Sequence, residues 1–222
     1  HLHVHSQYSM LDGAVKVKDL CKRTVAAGMK AVALTDHANM FGAISFYKAA
    51  KDAQLQAILG SELEIADKGH GHHLPLIAAN NDGYKNLVWL VSRGHVQPDP
   101  NAPAGTTAIA LTELEGRTKG LVAMTGCMGG VVAQAILEEG AEAGAKAIGR
   151  LKDLFEPGSL YVELQDHGLP EQPILNGILV DLAKRMDLPL VATNDVHYAA
   201  KDDAEAHLYL SCIKTGRSYQ DS

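Results

Sequence analysis

In two segments of the sequence, residues of the types that bind metal ions occur at every second position. His1, His3 and His5 alternate with apolar residues, so a β-strand here would place them on one face. Asp195 and His197 repeat the spacing with a carboxylate and an imidazole. Neutral imidazoles and carboxylates that converge on one point bind zinc and related divalent metals. Taken alone, the spacing of His3 and His5 also fits a polar strand face exposed to solvent.

Further candidate ligands follow apolar segments of strand length. Asp36 and His37 come directly after one such segment, and Glu62 comes after the next. An Asp-His pair in a loop is often an ordinary turn, and an isolated glutamate there is usually solvated. Glu64 competes with Glu62, because alternation places both on the same face. Spacing therefore leaves the choice between them open.

Four more residues have alternative interpretations. His72 and His73 are neighbours, so in a strand they face opposite ways and at most one reaches a central site. His70 and His72 lie in a glycine-rich segment, which predicts a solvated loop. Cys127 is flanked by glycines, and a free cysteine is often a small buried core residue rather than a ligand.

The elements that must position these groups alternate along the chain. The repeating unit is a strand-like apolar segment followed by helical periodicity, with about seven strands and five helices, and this alternation is typical of parallel sheets. The predicted strands cover residues 1–5, 31–35, 56–60, 73–79, 120–125, 160–165 and 190–193, and the predicted helices cover residues 17–27, 41–53, 83–93, 131–155 and 173–186. This order favours a barrel or a doubly wound sheet. Most candidate ligands fall at strand carboxyl ends, where α/β barrels carry their active sites.

Composition restricts the class of protein. Of 222 residues, 46% are hydrophobic, which is enough to bury the core of one α/β domain. The net charge of −6 gives no general footprint for nucleic acid, so any such substrate must be held locally or delivered by a partner. Three dispersed cysteines suit a reducing compartment. Without a membrane-length apolar run or a signal peptide, we expect a cytoplasmic protein with no membrane partner.

The sequence resembles the polymerase-and-histidinol-phosphatase (PHP) family over essentially its whole length. Segments occur in the order of the family motifs, namely His3-Val4-His5-Ser6, Thr35-Asp36-His37, Gly60-Ser61-Glu62, His73-Leu74, Thr125-Gly126-Cys127 and Asn194-Asp195-Val196-His197. Other segments resemble the branch found in bacterial DNA polymerase III alpha subunits, namely residues 8–13, 39–43, 163–168 and 212–216.

The resemblance implies an α/β fold, a distorted (β/α)7 barrel with a metal site at the carboxyl ends of the strands. It also implies up to three divalent cations (Zn, Mn or Fe) and nine ligands. His3, His5, Glu62 and Asp195 would hold the first cation, Glu62 with His73 and Cys127 the second, and Asp12, His37 and His197 the third. The family thus favours Glu62 over Glu64 and His73 over His72. It adds Asp12, which spacing alone leaves as an ordinary turn residue.

The implied activity is a metal-dependent phosphoric-ester hydrolase, specifically 3′–5′ exonuclease proofreading beside a replicative DNA polymerase. Glu62, Asp195 and His37 would act through metal-activated water. Asp36, Asp166 and His167 would support ligands or contact substrate, although Asp166 and His167 equally fit a loop that orders the barrel mouth.

The expected partners are a DNA 3′ end or another phosphate ester, and other polymerase domains or replisome subunits. We expect residues 1–222 to form a single PHP domain, excised from or equivalent to the N-terminal part of a longer polymerase chain. Two alternatives are a stand-alone phosphatase or phosphodiesterase of small phosphate esters, and a metal-stabilised interaction domain without activity. No Ser-His-Asp arrangement or P-loop pattern suggests another chemistry.

Overall fold

A computed structural model of the chain describes residues 1–221, which form one curled sheet with helices around it. The strands are β1 (Ala31–Leu34), β2 (Gln56–Asp67), β3 (His70–Ala78), β4 (Ile109–Ala110), β5 (Leu121–Met124), β6 (Leu160–Leu164) and β7 (Leu190–Ala192). The helices are α1 (Val17–Ala26), α2 (Ala43–Asp52), α3 (Asn81–Val96), α4 (Val131–Glu139), α5 (Ala141–Leu154), α6 (Gln172–Met186) and α7 (Ala204–Thr215). Short 3-10 helices cover Leu111–Leu114, Lys201–Asp203 and Tyr219–Asp221. Within residues 1–221, no helix has the length and apolar character that a membrane crossing requires.

The sheet has the order β1-β2-β3-β5-β6-β7, with β4 paired to β2. Four pairings are parallel, but β3 is antiparallel to both β2 and β5. The prediction of parallel strands each followed by a helix is therefore wrong at β2 and β3. Lys68 and Gly69 have φ values of 48° and 81° and join these strands in a two-residue hairpin turn. Two left-handed residues give such a turn the twist of the flanking strands.

The hairpin also changes the position of two histidines. The sequence predicts a solvated loop at His70 and His72, whereas both belong to β3. Strand β2 is correspondingly longer than predicted, and it pairs with β1 up to Leu59 and with β3 from Gly60 onward. A Cβ at Gly60 would lie 2.5 Å from the carbonyl oxygen of Leu76, so the change of partner requires glycine there.

The N-terminal segment closes the sheet into a barrel. On one side the Thr35 amide donates to the Val4 carbonyl (2.9 Å), and on the other the His5 amide donates to the Val196 carbonyl (2.7 Å). The pairing consists of isolated bridges, so the strand predicted for residues 1–5 is not continuous. His3 and His5 are fully buried, whereas His1 is exposed and does not share their environment. The result is the distorted α/β barrel that the resemblance implied.

The helix predicted over residues 131–155 is two helices. It is interrupted at Gly140, whose φ of 87° ends α4 and lets α5 start in a new direction. A Cβ at Gly144 in α5 would overlap the side chain of Ile136 in α4. The break therefore allows two helices to pack closely where one straight helix could not.

The buried apolar residues form two clusters. The larger one joins β2, β3, β5 and β6 to α3, α4, α5 and α6, and it includes Leu74, Leu90 and Ile148. The smaller one packs α1 and α2 against β1 and the N-terminal segment, and it includes Val4 and Phe46. Core residues such as Val4, Leu63 and Leu74 are the direct neighbours of His3, Glu62 and His73 in the sequence, so packing of the core fixes the backbone at these candidate ligands.

Substitution of Gly83 tests this packing. In α3, a Cβ at Gly83 would overlap the carbonyl oxygen of Gly120, just before β5. We expect Gly83→Ala to destabilise the protein by about 2 kcal/mol or more, because backbone must move. Gly177 is exposed in α6 with open space around it, so Gly177→Ala should stabilise by ~0.5–1 kcal/mol. Urea unfolding measures both, and equal effects would contradict the close approach of α3 to Gly120.

Candidate metal centre

The carboxylate of Glu62 lies at the centre of the candidate site, where its side chain is 1% exposed. Oε1 lies 3.1 Å from His3 Nε2 and 3.3 Å from His73 Nδ1. Oε2 lies 2.6 Å from His37 Nδ1 and 3.7 Å from His5 Nε2. Each oxygen thus faces two imidazoles, so either can contribute to a cation. The pairs, His3 with His73 and His5 with His37, divide the histidines differently from the ligand sets that the resemblance implies.

Asp195 contributes a second carboxylate to the same cluster. Its Oδ1 lies 3.3 Å from His3 Nε2, 3.1 Å from His5 Nε2 and 3.6 Å from His197 Nδ1. The sequence predicts that strand alternation orients Asp195 and His197, but β7 ends at Ala192 and Asp195 has a φ of 45°. A left-handed bend, not a strand, therefore brings the two side chains together.

Asp12 approaches from the loop that precedes α1. Its Oδ2 lies 2.8 Å from His37 Nε2 and 3.7 Å from His197 Nε2. The next residue, Gly13, passes so close to Ser6 that any Cβ would overlap the Ser6 carbonyl oxygen. Glycine at position 13 thus lets this loop pack against the N-terminal segment and deliver the Asp12 carboxylate.

Three of the six left-handed residues other than glycine within residues 1–221 lie at or next to these ligands. Leu11 precedes Asp12 with a φ of 63°, and Ala38 follows His37 with a φ of 46°, while Asp195 is itself left-handed. Residues other than glycine rarely adopt this left-handed conformation, because it costs about 1–3 kcal/mol per residue. Where it does occur, it is often at a functional site. The surrounding fold therefore holds the backbone beside Asp12 and His37, and at Asp195, in unfavourable conformations.

The structure separates the alternatives that spacing leaves open. His73 Nδ1 lies 3.4 Å from Cys127 Sγ and faces the cluster, whereas His72 lines a different cavity with Glu138. Glu64 points away from the cluster, because its Oε2 accepts hydrogen bonds from the amide and hydroxyl of Thr107, both at 3.2 Å.

The cluster has unpaired polar atoms that a cation would satisfy. His3 Nε2, His5 Nε2, both Glu62 oxygens and Asp195 Oδ1 are buried, yet none forms a hydrogen bond with another described residue. They lie near one another but not in hydrogen-bonding orientations. Leaving buried polar atoms unpaired is costly. Cations coordinated among them would remove that cost, so this set of donors fits divalent metal ions.

Three overlapping groups within residues 1–221 bring their ligand atoms within 4.8 Å of one another. They are His3, His5 and Asp195; His37, Glu62 and His73; and His5, His37 and His197. Shared members mean that the groups form one continuous cluster. Cys127 and Asp12 fall outside these three groups but contact His73 and His37 respectively.

Charges within the cluster shift the pKa values of its members. Burial opposes ionisation of Glu62, but His3, His37 and His73 outweigh it and hold the pKa of Glu62 well below its ordinary value. Burial likewise opposes protonation of His37, yet Asp12 and Glu62 raise its pKa to about 9. For His5 burial prevails and lowers the pKa to about 3. Burial, with Glu62 and Asp195 nearby, raises the pKa of the Cys127 thiol.

Glu163 holds part of the cluster in place, although its type and spacing did not single it out. It is buried in β6, where its Oε1 lies 2.7 Å from His3 Nδ1 and its Oε2 accepts from the amide of Gly126 at 3.1 Å. Gln165 and Thr193 also donate hydrogen bonds to Oε1. Such a carboxylate orients the imidazole of a metal ligand. The available signal was an acidic residue inside an otherwise apolar strand.

Asp36 supports the opposite side of the cluster. It accepts hydrogen bonds from the Ser6 amide (2.6 Å) and the Ser9 hydroxyl (2.8 Å), and Ser9 Oγ lies 3.1 Å from His5 Nδ1. Asp166 and His167 are exposed and lie in the loop after β6. His167 Nε2 is 2.8 Å from the Asn194 carbonyl oxygen, so it connects this loop to the residue before Asp195.

Comparison with known proteins identifies the family. The family model described as "PHP domain" matches residues 1–167. This chain belongs to the PHP domain family. The PHP domain is 39% identical over 232 aligned residues to DNA polymerase III subunit alpha of Borreliella burgdorferi, and the match covers 100% of the chain and 20% of the relative. It is 38% identical to the error-prone DNA polymerase of Symbiobacterium thermophilum, with 97% and 21% covered. The chain thus spans about a fifth of the length of these relatives.

Solved structures show the same fold at low sequence identity. A protein of Bifidobacterium adolescentis, provisionally described as a metal-dependent phosphoesterase, superposes with a TM-score of 0.55 and 16% identity, covering 97% of both chains. An amidohydrolase of Chromobacterium violaceum, solved with sulfate and no metal, gives a TM-score of 0.61 and 16% identity over 90% of this chain and 88% of that one. The PHP domain therefore shares its architecture with these proteins.

The position of Glu163 predicts an effect on metal affinity. Glu163→Gln removes the negative charge that faces His3 Nδ1 and replaces one acceptor oxygen with a donor group, so His3 is held less firmly. We expect metal affinity to fall by roughly 10–100-fold, measured by titration calorimetry with Mn²⁺. Glu113→Gln is a matched control, because Glu113 pairs with Arg93 far from the cluster. Equal affinities of the two variants would show that Glu163 does not orient a ligand.

The raised pKa of His37 predicts that metal affinity depends on pH. Metal ligands must be deprotonated, but at neutral pH the metal-free protein keeps a proton on His37, whose pKa is about 9. Binding therefore releases protons, and affinity should rise with pH by up to about tenfold per unit for each proton, until the pH passes about 9. Calorimetry between pH 6 and 8, in buffers of different ionisation enthalpy, measures both quantities. A constant affinity with no proton release would contradict the expectation.

Proposed function

We propose that this PHP domain is a metal-dependent phosphoesterase that removes nucleotides from DNA 3′ ends, as one domain of a longer bacterial replicative polymerase. The observation that supports it most is the buried Glu62 carboxylate, whose two unpaired oxygens face separate pairs of imidazoles. Relatives named as DNA polymerases suggest the parent protein and a cytoplasmic location. The proofreading direction is the implication of the family resemblance.

The proposed cofactors are up to three divalent cations, Zn, Mn or Fe. Nine residues would hold them, namely His3, His5, Asp12, His37, Glu62, His73, Cys127, Asp195 and His197. One soft thiolate among imidazoles favours zinc in the group that contains Cys127, whereas the oxygen-rich remainder also suits Mn. Asp36 and Glu163 would hold His5 and His3 in ligating orientations through the contacts described above.

Such cations, when bound, would lower the pKa of a coordinated water and polarise the phosphoryl oxygens. The protein supplies geometry and charge for that chemistry. Glu62 holds the two halves of the cluster together, and Asp195 and His37 orient the groups on either side of it. The side chains of His37 and Asp195 are 24% and 16% exposed, so both are accessible to an incoming phosphate. His3 and His5 are fully buried and lie deeper in the site.

The expected substrate is a DNA 3′ end, presented by other polymerase domains or replisome subunits. A net charge of −6 gives this domain no general attraction for DNA. The local positive charge of a metal-loaded cluster would instead bind one phosphate, and the partner would hold the rest of the strand. Asp166 and His167, in the exposed loop beside Asn194, would contact that strand at the rim, and their exposure supports this role.

Adjacent histidines of β3 provide a test of the proposed function. His73 faces Glu62 and Cys127, whereas His72 faces another cavity. We expect His73→Ala to reduce hydrolysis of a 3′-recessed oligonucleotide with Mn²⁺ or Zn²⁺ by more than roughly 100-fold, and His72→Ala to change it much less. Glu62→Gln should be more damaging than Asp195→Asn, because Glu62 contacts more of the cluster. Single-turnover rates with the oligonucleotide and an aryl phosphate measure the effects.

Three outcomes would contradict the proposal in different ways. Faster turnover of the aryl phosphate than of DNA would favour a phosphatase of small esters. Metal binding without hydrolysis of either substrate would favour a metal-stabilised interaction domain. Loss of activity in His72→Ala, with His73→Ala active and both folded, would show that the wrong histidine has been assigned.

A further inference from the structure

Lys214 reaches the metal centre from the last turn of α7. Its ammonium lies 2.7 Å from Asp12 Oδ2, while its side chain is 48% exposed. His207 lies two turns earlier on the same face of α7, with its ring centroid 5.8 Å from that of His197. This face of α7 therefore lies beside the cluster and brings a cation to the rim.

Lys214 differs in this respect from the other basic residues. Among residues 1–221 it is the only lysine or arginine that pairs with a carboxylate of the metal centre, since the remaining ion pairs of lysine and arginine join surface residues elsewhere. The protein has a net charge of −6, so a single ammonium at the rim is a distinctive feature of the local charge.

One oxygen of Asp12 has more partners than it can keep when a cation binds. Oδ2 lies near Lys214 Nζ, His37 Nε2 (2.8 Å) and His197 Nε2 (3.7 Å). A divalent cation held by Asp12 and these two imidazoles would repel the ammonium and weaken its attraction to the neutralised carboxylate. The flexible lysine side chain would then be free to turn toward solvent at the mouth.

We propose that Lys214 is a phosphate-binding residue of this site, held beside the cluster by Asp12 and engaging a non-bridging phosphate oxygen when metal ions are bound. The inference rests on the proposed function, because it names the group that recognises the phosphate. Lysine is suited to this role as a compact charge with three donors on a long, mobile stem. The same ammonium opposes metal binding and favours phosphate binding, so its loss should weaken phosphate binding without weakening metal binding.

The test uses inorganic phosphate as the probe, with binding measured by calorimetry on the whole 222-residue chain. Lys214→Met should leave metal affinity unchanged or raise it, and should weaken phosphate binding to the Mn²⁺-loaded protein by roughly 10-fold, as expected for loss of a partly exposed charge-assisted hydrogen bond. Lys214→Arg should stay within about threefold of the unmodified protein. Lys51→Met is the matched control, because Lys51 is also a lysine in the last turn of a helix, α2, but it does not pair with a carboxylate of the metal centre.

A second neutral variant, Lys214→Gln, decides the matter if Lys214→Met does not fold. The proposal is overturned if the unmodified metal-loaded chain binds no phosphate, if neutral variants bind it as well as Lys51→Met does, or if they lose metal and phosphate affinity together, as a merely structural contact predicts. Phosphate binding needs no turnover. A chain that binds phosphate through Lys214 without hydrolysing DNA would therefore contradict the proposed function and support this role.

Discussion

The arrangement of the barrel mouth depends on one buried carboxylate. Glu62 is almost completely buried, and an isolated negative charge in the protein interior is very unfavourable. Imidazoles from the N-terminal segment, from the loop after β1 and from β3 surround it. Because each imidazole comes from a different element, these elements must meet at Glu62 if its charge is to be compensated. The change of strand partner at Gly60 places the carboxylate there.

A second layer of contacts keeps the ligands from relaxing away from this point. Glu163 and Asp36 lie on opposite sides of the cluster and hold His3 and, through Ser9, His5. Left-handed residues beside Asp12 and His37 add strain that the core must offset. The centre is therefore rigid in its inner shell, while its outer edge, with Asp12 and Lys214, is partly solvated and adjustable.

Much of this site could be predicted from local patterns. The spacing of His3 and His5 correctly predicts two imidazoles that point inward, and the strand ends correctly place Asp36, His37 and Glu62 near one another. Alternation could not choose Glu62 over Glu64, because the choice depends on where Thr107 lies. The β2–β3 hairpin was missed because the glycine-rich segment before His73 predicts a loop, so the turn at Lys68 and Gly69 and the strand residues on either side of it were not recognised. Glu163 was missed because its partner, His3, is 160 residues away in the sequence.

That sequence separation has a consequence for how the protein matures. The first residues of the chain pair with Val196, and His3 contacts both Glu163 and Asp195. Contacts between residues so distant in sequence form late, after much loop-closure entropy has been lost. During translation, His3 and His5 are synthesised long before Asp195, so they have no contact with Asp195 until most of the domain has been made. Metal capture by the complete centre must therefore follow synthesis of almost the entire domain, and early-emerging histidines are exposed to whatever cations the nascent chain encounters.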